Sequence, residues 1–423
     1  MGAINLNNTG SGSAITLSSD GSSLLLNGSA VGGGGGADLY AANESSATAN
    51  TVTGTNAVAI GSNNTASGES SLSFGVNATA SQVGAFAAGR NTTASGADSF
   101  AFGASAVASG SNTISIGSNT DAIGNSSVAI GNTAQSSGGY SVALGKAYAS
   151  GADSLAAAIT NNTSSYGATA SHAVSIGNLS KSTHYSGIAI GHQNIVNGNR
   201  SASIGGRSNT AGSDMSGIIG GYGNNTSNQY TFIGGGYTNV ASGLYSAVIG
   251  GYDNDATEQM SYASGMFANS SIKGKWAHGA AGHLGSTTSG SNQSGHYVLI
   301  SNTTDATAEA LTTDNSTAGT SNQVVLPNNS AYSFHGTIVA RQKASEGTSS
   351  AAWKVEGLIR REANAGTTVL VNSATTVLDN TPSWGMALSA DTTNGCLKIA
   401  VNGAASTNIR WVGTITTSEL IYA

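Results

Sequence analysis

The side chains best placed to do chemistry are three tyrosines set fifteen residues apart, Tyr222, Tyr237 and Tyr252. Each follows a Gly-Gly pair and is followed two residues later by an asparagine, Asn224, Asn239 or Asn254. Arg207 takes the tyrosine's place one repeat earlier. Equal spacing sets like rings side by side. They would serve either as a stacking surface for sugars or as a stack that supports the fold, and the second is the expected role. Trp276, His278 and His283 crowd into a short stretch with Lys273 and Lys275, and His296 lies further on. A histidine on a symmetry axis would supply three ligands to a metal or anion, but this spacing matches no familiar ligand pattern. Asp253-Asn254-Asp255 with Glu258 lacks the glycine and the ligand spacing of a calcium loop, so a corner turn is expected there. Trp353 shares strand parity with Val355 and Ile359, and Trp411 with Ile409 and Ile415, which places both in a core. Trp384 follows Pro382 and Ser383 at a strand entry. It joins Tyr222, Tyr237, Tyr252, Trp276 and His278 as a candidate ligand contact.

Catalysis has little to work with. Acids are sparse before residue 258, and Asp98 and Asp153 recur at one repeat position just after a corner glycine, which is a turn role and not an acid/base pair. There is no Gly-x-Ser-x-Gly elbow, no phosphate loop and no His/Cys metal set. No catalytic residue, no metal site and no cofactor is expected.

Composition bounds the fold before any motif does. Only 8% of the 423 residues are charged, against about 25% in an ordinary domain. Glycine fills 60 positions and proline only two, Pro327 and Pro382. Such a chain could be disordered, but 39% of its residues are hydrophobic and they recur at regular intervals. The single Cys396 excludes an intrachain disulfide framework. The amino terminus has no basic region followed by an apolar one, and no apolar run is long enough to span a membrane, so neither a signal peptide nor membrane insertion is expected. Residues 1–272 hold five basic and eleven acidic side chains, and residues 273–423 nine of each. Neither part has the charge of a nucleic-acid partner.

The elements that must position these residues are announced by glycine. Gly61, Gly75, Gly89, Gly103, Gly117, Gly131 and Gly145 fall every fourteen residues, with half-period glycines at Gly68, Gly96, Gly110, Gly124 and Gly138. Before the main glycines stand phrases such as Ala57-Val-Ala-Ile60, Ile114-Ser-Ile116 and Val128-Ala-Ile130, which alternate with a strand period. Two short strands and two glycine corners per fourteen residues describe one coil of a β-solenoid. Glycine is expected at each corner because a tight reversal needs a positive φ. After Gly145 the next phrase ends at Gly177, which implies one coil with a four-residue insertion in Asn161 to Ser165. From Gly205-Gly206 the period is fifteen, through Gly220-Gly221, Gly235-Gly236 and Gly250-Gly251. A coil this thin cannot bury both faces of its strands, and oligomerisation is the simplest remedy.

The phrases Ser-Val-Ala-Ile-Gly and Ala-Ser-Gly-x-x-Ser, over roughly residues 56–258, resemble the YadA-like head repeats of trimeric autotransporter adhesins, which phage tail fibres also use. The resemblance implies a left-handed parallel β-roll of 14–15-residue coils, assembled as a homotrimer with an apolar face towards the threefold axis. From His296 onward come eight strand-like runs separated by turn clusters, which suggest an antiparallel sandwich or jelly roll. The segment 260–423, through Ser350-Ala-Ala-Trp-Lys-Val-Glu-Gly-Leu-Ile-Arg-Arg361 and Asn408-Ile-Arg-Trp-Val-Gly-Thr-Ile415, resembles a C-terminal domain of phage tail and virion structural proteins.

The organisation expected is therefore an N-terminal anchoring module with a glycine hinge (1–36), a coiled shaft (37–258), a capping segment (259–295) and a β-sandwich head (296–423). By resemblance this is an all-β, trimeric phage tail fibre, extracellular on the virion. It would be anchored to other virion proteins by its N-terminus and contact a host-surface glycan or protein passively. A bacterial trimeric surface adhesin is the alternative, and a polysaccharide-degrading tailspike the second.

Overall fold

The computed structural model describes residues 48–158, 165–280 and 289–422, together with the strands Ile4–Leu6, Ile15–Ser19, Leu24–Leu26, Ser29–Ala30 and Gly36–Leu39. Two units, Met1–Ser182 and Thr183–Ala423, are taken in turn. No helix among the described residues is long and apolar enough to cross a membrane.

In the first unit the four strands up to Ala30 pair antiparallel in chain order. Gly36–Leu39 then runs parallel to the start of Ala57–Ser62. From there each coil gives one longer strand and one two-residue strand, as in Val128–Asn132 and Gln135–Ser136. The longer strands stack in parallel register, Phe86 on Phe100, Ile114, Val128 and Val142. The short ones do the same, Thr93 on Val107, Asp121 and Gln135. The fourteen-residue period is thus the return of the chain to one strand of a parallel solenoid.

Coil length departs from the sequence expectation at one place. Val142 pairs with Leu155 and Gly145 with Ala158, so this coil has lost a residue between Gly145 and Ala147. Leu155 pairs with Val174, so the following coil is correspondingly longer. Most of the polar run that carries the insertion lies outside the described residues.

The two glycine series do different work. Gly61, Gly75, Gly89, Gly103, Gly117, Gly131 and Gly145 have φ between 81° and 139°, a region that suits glycine. The half-period glycines do not. The left-handed residue at that corner comes two positions later: Ser70, Asp98, Asn112, Ser126 and Tyr140 have φ of 53–57°. Gly68, Gly96 and Gly124 are glycine for another reason, since a Cβ on each would fall on the carbonyl oxygen of Gln82, Gly110 or Gly138 in the next coil.

The coil interior holds only small side chains. Ala59, Ser73, Ala87, Ala101, Ser115, Ala129 and Ala143 are completely buried. The large residues on either side of them in each strand point out, so Phe102, Ile114, Ile130 and Leu144 are 38–52% exposed. The rings of Phe74, Phe86 and Phe100 meet on that outer side, at 5.6 and 4.8 Å between centroids.

In the second unit the coils lengthen to fifteen residues. The added residue enters as a bulge at the Gly-Gly corner, between Ile190 and His192 against Arg207. A reciprocal bulge between Val248 and Gly251 restores fourteen, with Gly251 on Gly265 and Gly265 on Gly279. The last coil strand, Trp276–Gly279, pairs antiparallel with the first strand of the C-terminal sheets.

Those sheets are built from β1 (Asn292–Thr303), β2 (Glu309–Ala310), β3 (Val324–Val325), β4 (Ser330–Gln342), β5 (Ser350–Arg361), β6 (Val369–Asp379), β7 (Gly385–Asp391), β8 (Cys396–Asn402) and β9 (Ile409–Ile421). The larger sheet has the antiparallel order β1-β9-β4-β5-β6. In the smaller one β2, β3 and β7 pair with β8. Their facing sides enclose one core containing Tyr297, Phe334, Ile338, Trp353, Leu397, Ile399 and Trp411. Trp353 and Trp411 stack within it at 5.7 Å.

One buried charge pair ties the last coil to this sheet. Lys275 Nζ lies 2.7 Å from Glu419 Oε2, with side chains 3% and 0% exposed. Gln293 Nε2 donates to the same oxygen at 2.6 Å, and Tyr297 OH and Thr417 Oγ1 donate to Oε1 at 2.8 and 2.7 Å. Burial alone would raise the Glu419 pKa, but the Lys275 charge and these donors hold it below the ordinary value. The Tyr297 hydroxyl is pushed far up, by burial first and by the Glu419 charge second, so it remains a donor.

Two measurements check this account. Gly96→Ala is expected to lower stability by about 1–3 kcal/mol through overpacking, while Asn112→Gly, at a left-handed position, changes it by less than about 0.5 kcal/mol; thermal unfolding compares them. Glu419→Gln, which leaves Lys275 buried without its counter-charge, is expected to cost about 3–5 kcal/mol. Because the folded pKa of Glu419 lies below its unfolded value, its contribution is full above the unfolded pKa and is lost as pH falls through the folded one. Acid unfolding of the wild type should show that loss, and Glu419→Gln should flatten it.

Candidate functional site

Each Gly-Gly corner in the second unit has φ positive at both residues, 81° and 84° at Gly220 and Gly221, 142° and 96° at Gly235 and Gly236. The turn aims the next side chain outward. Backbone bonds from Tyr222 N to Gly236 O (2.8 Å) and from Tyr237 N to Gly251 O (2.9 Å) keep successive tyrosines in register. Tyr222 and Tyr237 stack at 5.2 Å and 14°, and Tyr237 and Tyr252 at 5.1 Å and 3°. Phe267 closes one end of the column edge-on at 5.3 Å, and the Arg207 guanidinium lies 5.8 Å from the Tyr222 ring centre at the other. Covered on both faces, Tyr237 presents its ring edge and hydroxyl to solvent, not a free face.

The asparagines two residues on explain the rest of the motif. Asn224, Asn239 and Asn254 are fully buried. The Oδ1 of Asn239 accepts from Asn254 N and Nδ2, both at 3.0 Å, and its Nδ2 donates to Gly235 O and Gly251 O at 2.9 and 3.0 Å. Each side-chain amide therefore joins its own coil to the next, in a ladder that begins at Asn194 and ends on Ala268 N. Within Asp253-Asn254-Asp255, Asn254 is committed to this ladder and Asp253 occupies a left-handed corner with φ 53°. The described residues contain no group of three or more His, Cys, Asp or Glu arranged to hold a metal ion.

A second aromatic column escaped the sequence analysis. Tyr230 and Tyr245 stack at 5.0 Å and 21° at the other corner, both with positive φ, 43% and 49% exposed. Their fifteen-residue spacing was the signal. Met215 and Met260 occupy the same corner position one coil to either side.

Trp276 and His278 are brought together with residues of the C-terminal sheet. Trp276 pairs across strands with His296, and His278 with Ser294. With Gly295 and Thr416 they line a shallow cleft of about 360 Å³. Trp276 is 52% exposed, and His278 Nδ1 lies 3.0 Å from Ser264 Oγ. An exposed indole beside imidazole and hydroxyl groups can stack on the apolar face of a sugar and bond its hydroxyls. Trp384 is corrected. It is 5% exposed and packs against Trp411 at 5.9 Å, while its backbone N–H donates to Asn380 Oδ1 at 2.9 Å. Pro382 and Ser383 turn it into the core, so it cannot meet an external ligand. His283 lies outside the described residues.

The two tyrosine-motif residues are expected to differ in what they sustain. Tyr237→Ala removes two ring contacts at about 0.5–1.5 kcal/mol each. Asn239→Ala should be the more damaging, at about 1–3 kcal/mol for every buried polar group it strands. Chemical denaturation of the two variants ranks them.

Residues 46–64, 53–75, 66–92, 94–120 and 122–147 match the YadA head domain repeat (2 copies). No curated protein matches the chain. Among solved structures it is similar to a tailspike protein from Acinetobacter baumannii bacteriophage Fri1, a capsular polysaccharide depolymerase, at 8% identity and a TM-score of 0.22, covering 85% of this chain and 67% of that one. It is also similar to the tailspike of Acinetobacter baumannii phage AM24, at 10% identity and a TM-score of 0.20, covering 90% of this chain and 74% of that one. Such TM-scores lend no weight to a functional conclusion. Residues 46–147 thus carry repeats of the YadA head type, in an all-β chain of parallel coils followed by antiparallel sheets.

Proposed function

We propose that the chain is a passive attachment fibre of a phage virion, working as a homotrimer on a host-surface glycan. The observation that carries this is the inverted packing of the YadA-type coils. Their interior is alanine and serine, while Phe102, Ile114, Ile130 and Leu144 stand exposed on one outer face. A row of large apolar residues at every coil is more than a solitary soluble chain ordinarily leaves in water. Three copies that bring these faces together bury them and make a stiff shaft. The N-terminal strands then serve to anchor the fibre to other virion proteins, and the C-terminal sheets form the outer end.

Attachment in this arrangement needs no reaction. Trp276, His278 and His296 supply one weak contact per chain, and threefold repetition turns weak contacts into avidity. The YadA repeat type suits a bacterial trimeric surface adhesin equally, and the two differ in what the protein blocks when added in solution.

Light scattering of the full-length protein is expected to give three times the chain mass. Phe102→Glu with Ile130→Glu, both on the outer face, should release monomers. Added to host cells, the wild type should bind and reduce infection by the phage, and Trp276→Ala should bind about ten-fold less or weaker still. A monomeric wild type sinks the trimer. Binding without competition favours the adhesin, and release of reducing ends from the polysaccharide would make the protein an enzyme.

A further inference from the structure

A second cleft, of about 590 Å³, opens where the end of β1, the β4–β5 hairpin and the start of β9 meet. Three of the nine basic side chains of residues 273–423 line it: Arg341, Lys343 and Arg410. Strand register places Arg410 directly opposite Arg341 on one side and Asn302 on the other. Like charges directly opposite each other in an antiparallel pair are unfavourable. The local acid does not relieve them. Glu346 is committed to Asn408, accepting its backbone N–H at 2.9 Å and its Nδ2 at 2.6 Å, and pairs with Lys343 at 3.7 Å. Neither Arg341 nor Arg410 has an ion pair among the described residues. The Arg341 guanidinium is nonetheless held in place, since its Nη1 donates to the carbonyls of Thr348 and Ser349 in the hairpin.

We propose that this cleft binds the anionic group of an acidic polysaccharide, the Arg341 and Arg410 guanidiniums gripping a carboxylate or sulfate while neighbouring neutral side chains bond the sugar hydroxyls. This rests on the attachment role and names its ligand. Two guanidiniums facing one opening match the paired oxygens of such a group. The rest of the lining suits a sugar, with Asn302, Thr304, Gln342 and Asn408 offering amide and hydroxyl groups. A nucleic acid fits less well: no aromatic ring lines the cleft for base stacking. The charge is also local, because acids and bases balance over residues 273–423.

Calorimetry on the full-length protein with oligogalacturonate, dextran sulfate and uncharged dextran tests this. Oligogalacturonate or dextran sulfate should bind saturably and dextran should not, and the two polyanions tell carboxylate from sulfate. Arg410→Gln and Arg341→Gln should each weaken binding about ten-fold or more, whereas Lys354→Gln, which removes an exposed basic charge away from the cleft, should bind as the wild type does. Arg410→Gln should melt no lower than the wild type, because it removes a like-charge pair. The inference is overturned if neither polyanion binds, if Arg410→Gln binds as the wild type does, or if a single-stranded oligonucleotide binds more tightly than both. Cell attachment separates the two proposals: attachment by Arg410→Gln equal to the wild type removes this site and leaves the fibre role, whereas a wild type that does not attach removes the fibre role.

Discussion

Everything in the coiled part follows from how closely one backbone is held to the next. Parallel hydrogen bonding between successive turns fixes their register, so each residue sits on its counterpart one coil away. At the corners the approach is tighter still, and a Cβ on Gly61 or Gly96 would meet the next coil's carbonyl. Glycine is therefore demanded by crowding as well as by φ. The same register turns any repeated residue into a ladder. Asparagine becomes a chain of buried amides, tyrosine a stack of rings, and exposed asparagine a surface chain from Asn63 through Asn77 to Asn91 at 2.7 and 3.0 Å.

Close spacing also makes the coil thin, and thinness reverses the usual arrangement of a core. With room inside the first unit's coils for alanine, serine, threonine and asparagine alone, the large apolar residues there turn outward, while the fifteen-residue coils also take in Ile218, Ile233 and Val248. Such a coil buries little apolar surface by itself, so hydrogen-bond ladders along the solenoid and contacts outside it must supply the remainder. The proposed homotrimer would cover this apolar surface. The C-terminal sheets are organised differently, with aromatic and aliphatic residues enclosed between two layers. Between the last coil and the large sheet, continuity is backbone pairing from Trp276–Gly279 to β1, locked by the buried Lys275–Glu419 pair.

Most of this architecture was legible in the sequence. Glycine intervals and alternating apolar phrases fixed the coil length, the parallel stacking and the change to fifteen, because a solenoid repeats the same local problem at every turn. The eight strand runs after His296 overlap eight of the nine strands, the two-residue β2 (Glu309–Ala310) being missed, and the burial of Trp353 and Trp411 followed from strand parity. The tyrosine stack was visible as well, since equal spacing in a repeat means contact.

Tertiary structure decided what spacing cannot express. The half-period glycines yield to the next coil's carbonyl, and a clash with a residue fourteen positions away leaves no local mark. Trp384 looked exposed because it follows a turn, yet the turn drives it against Trp411, a neighbour that only the folding of two sheets supplies. Arg341 and Arg410 stand far apart in the chain and become opposed only through the register of β4 and β9. A repeat determines its own contacts by local periodicity. Contacts between non-repeating strands depend on which strands the sheets bring together, and that is settled by the packing of the whole domain.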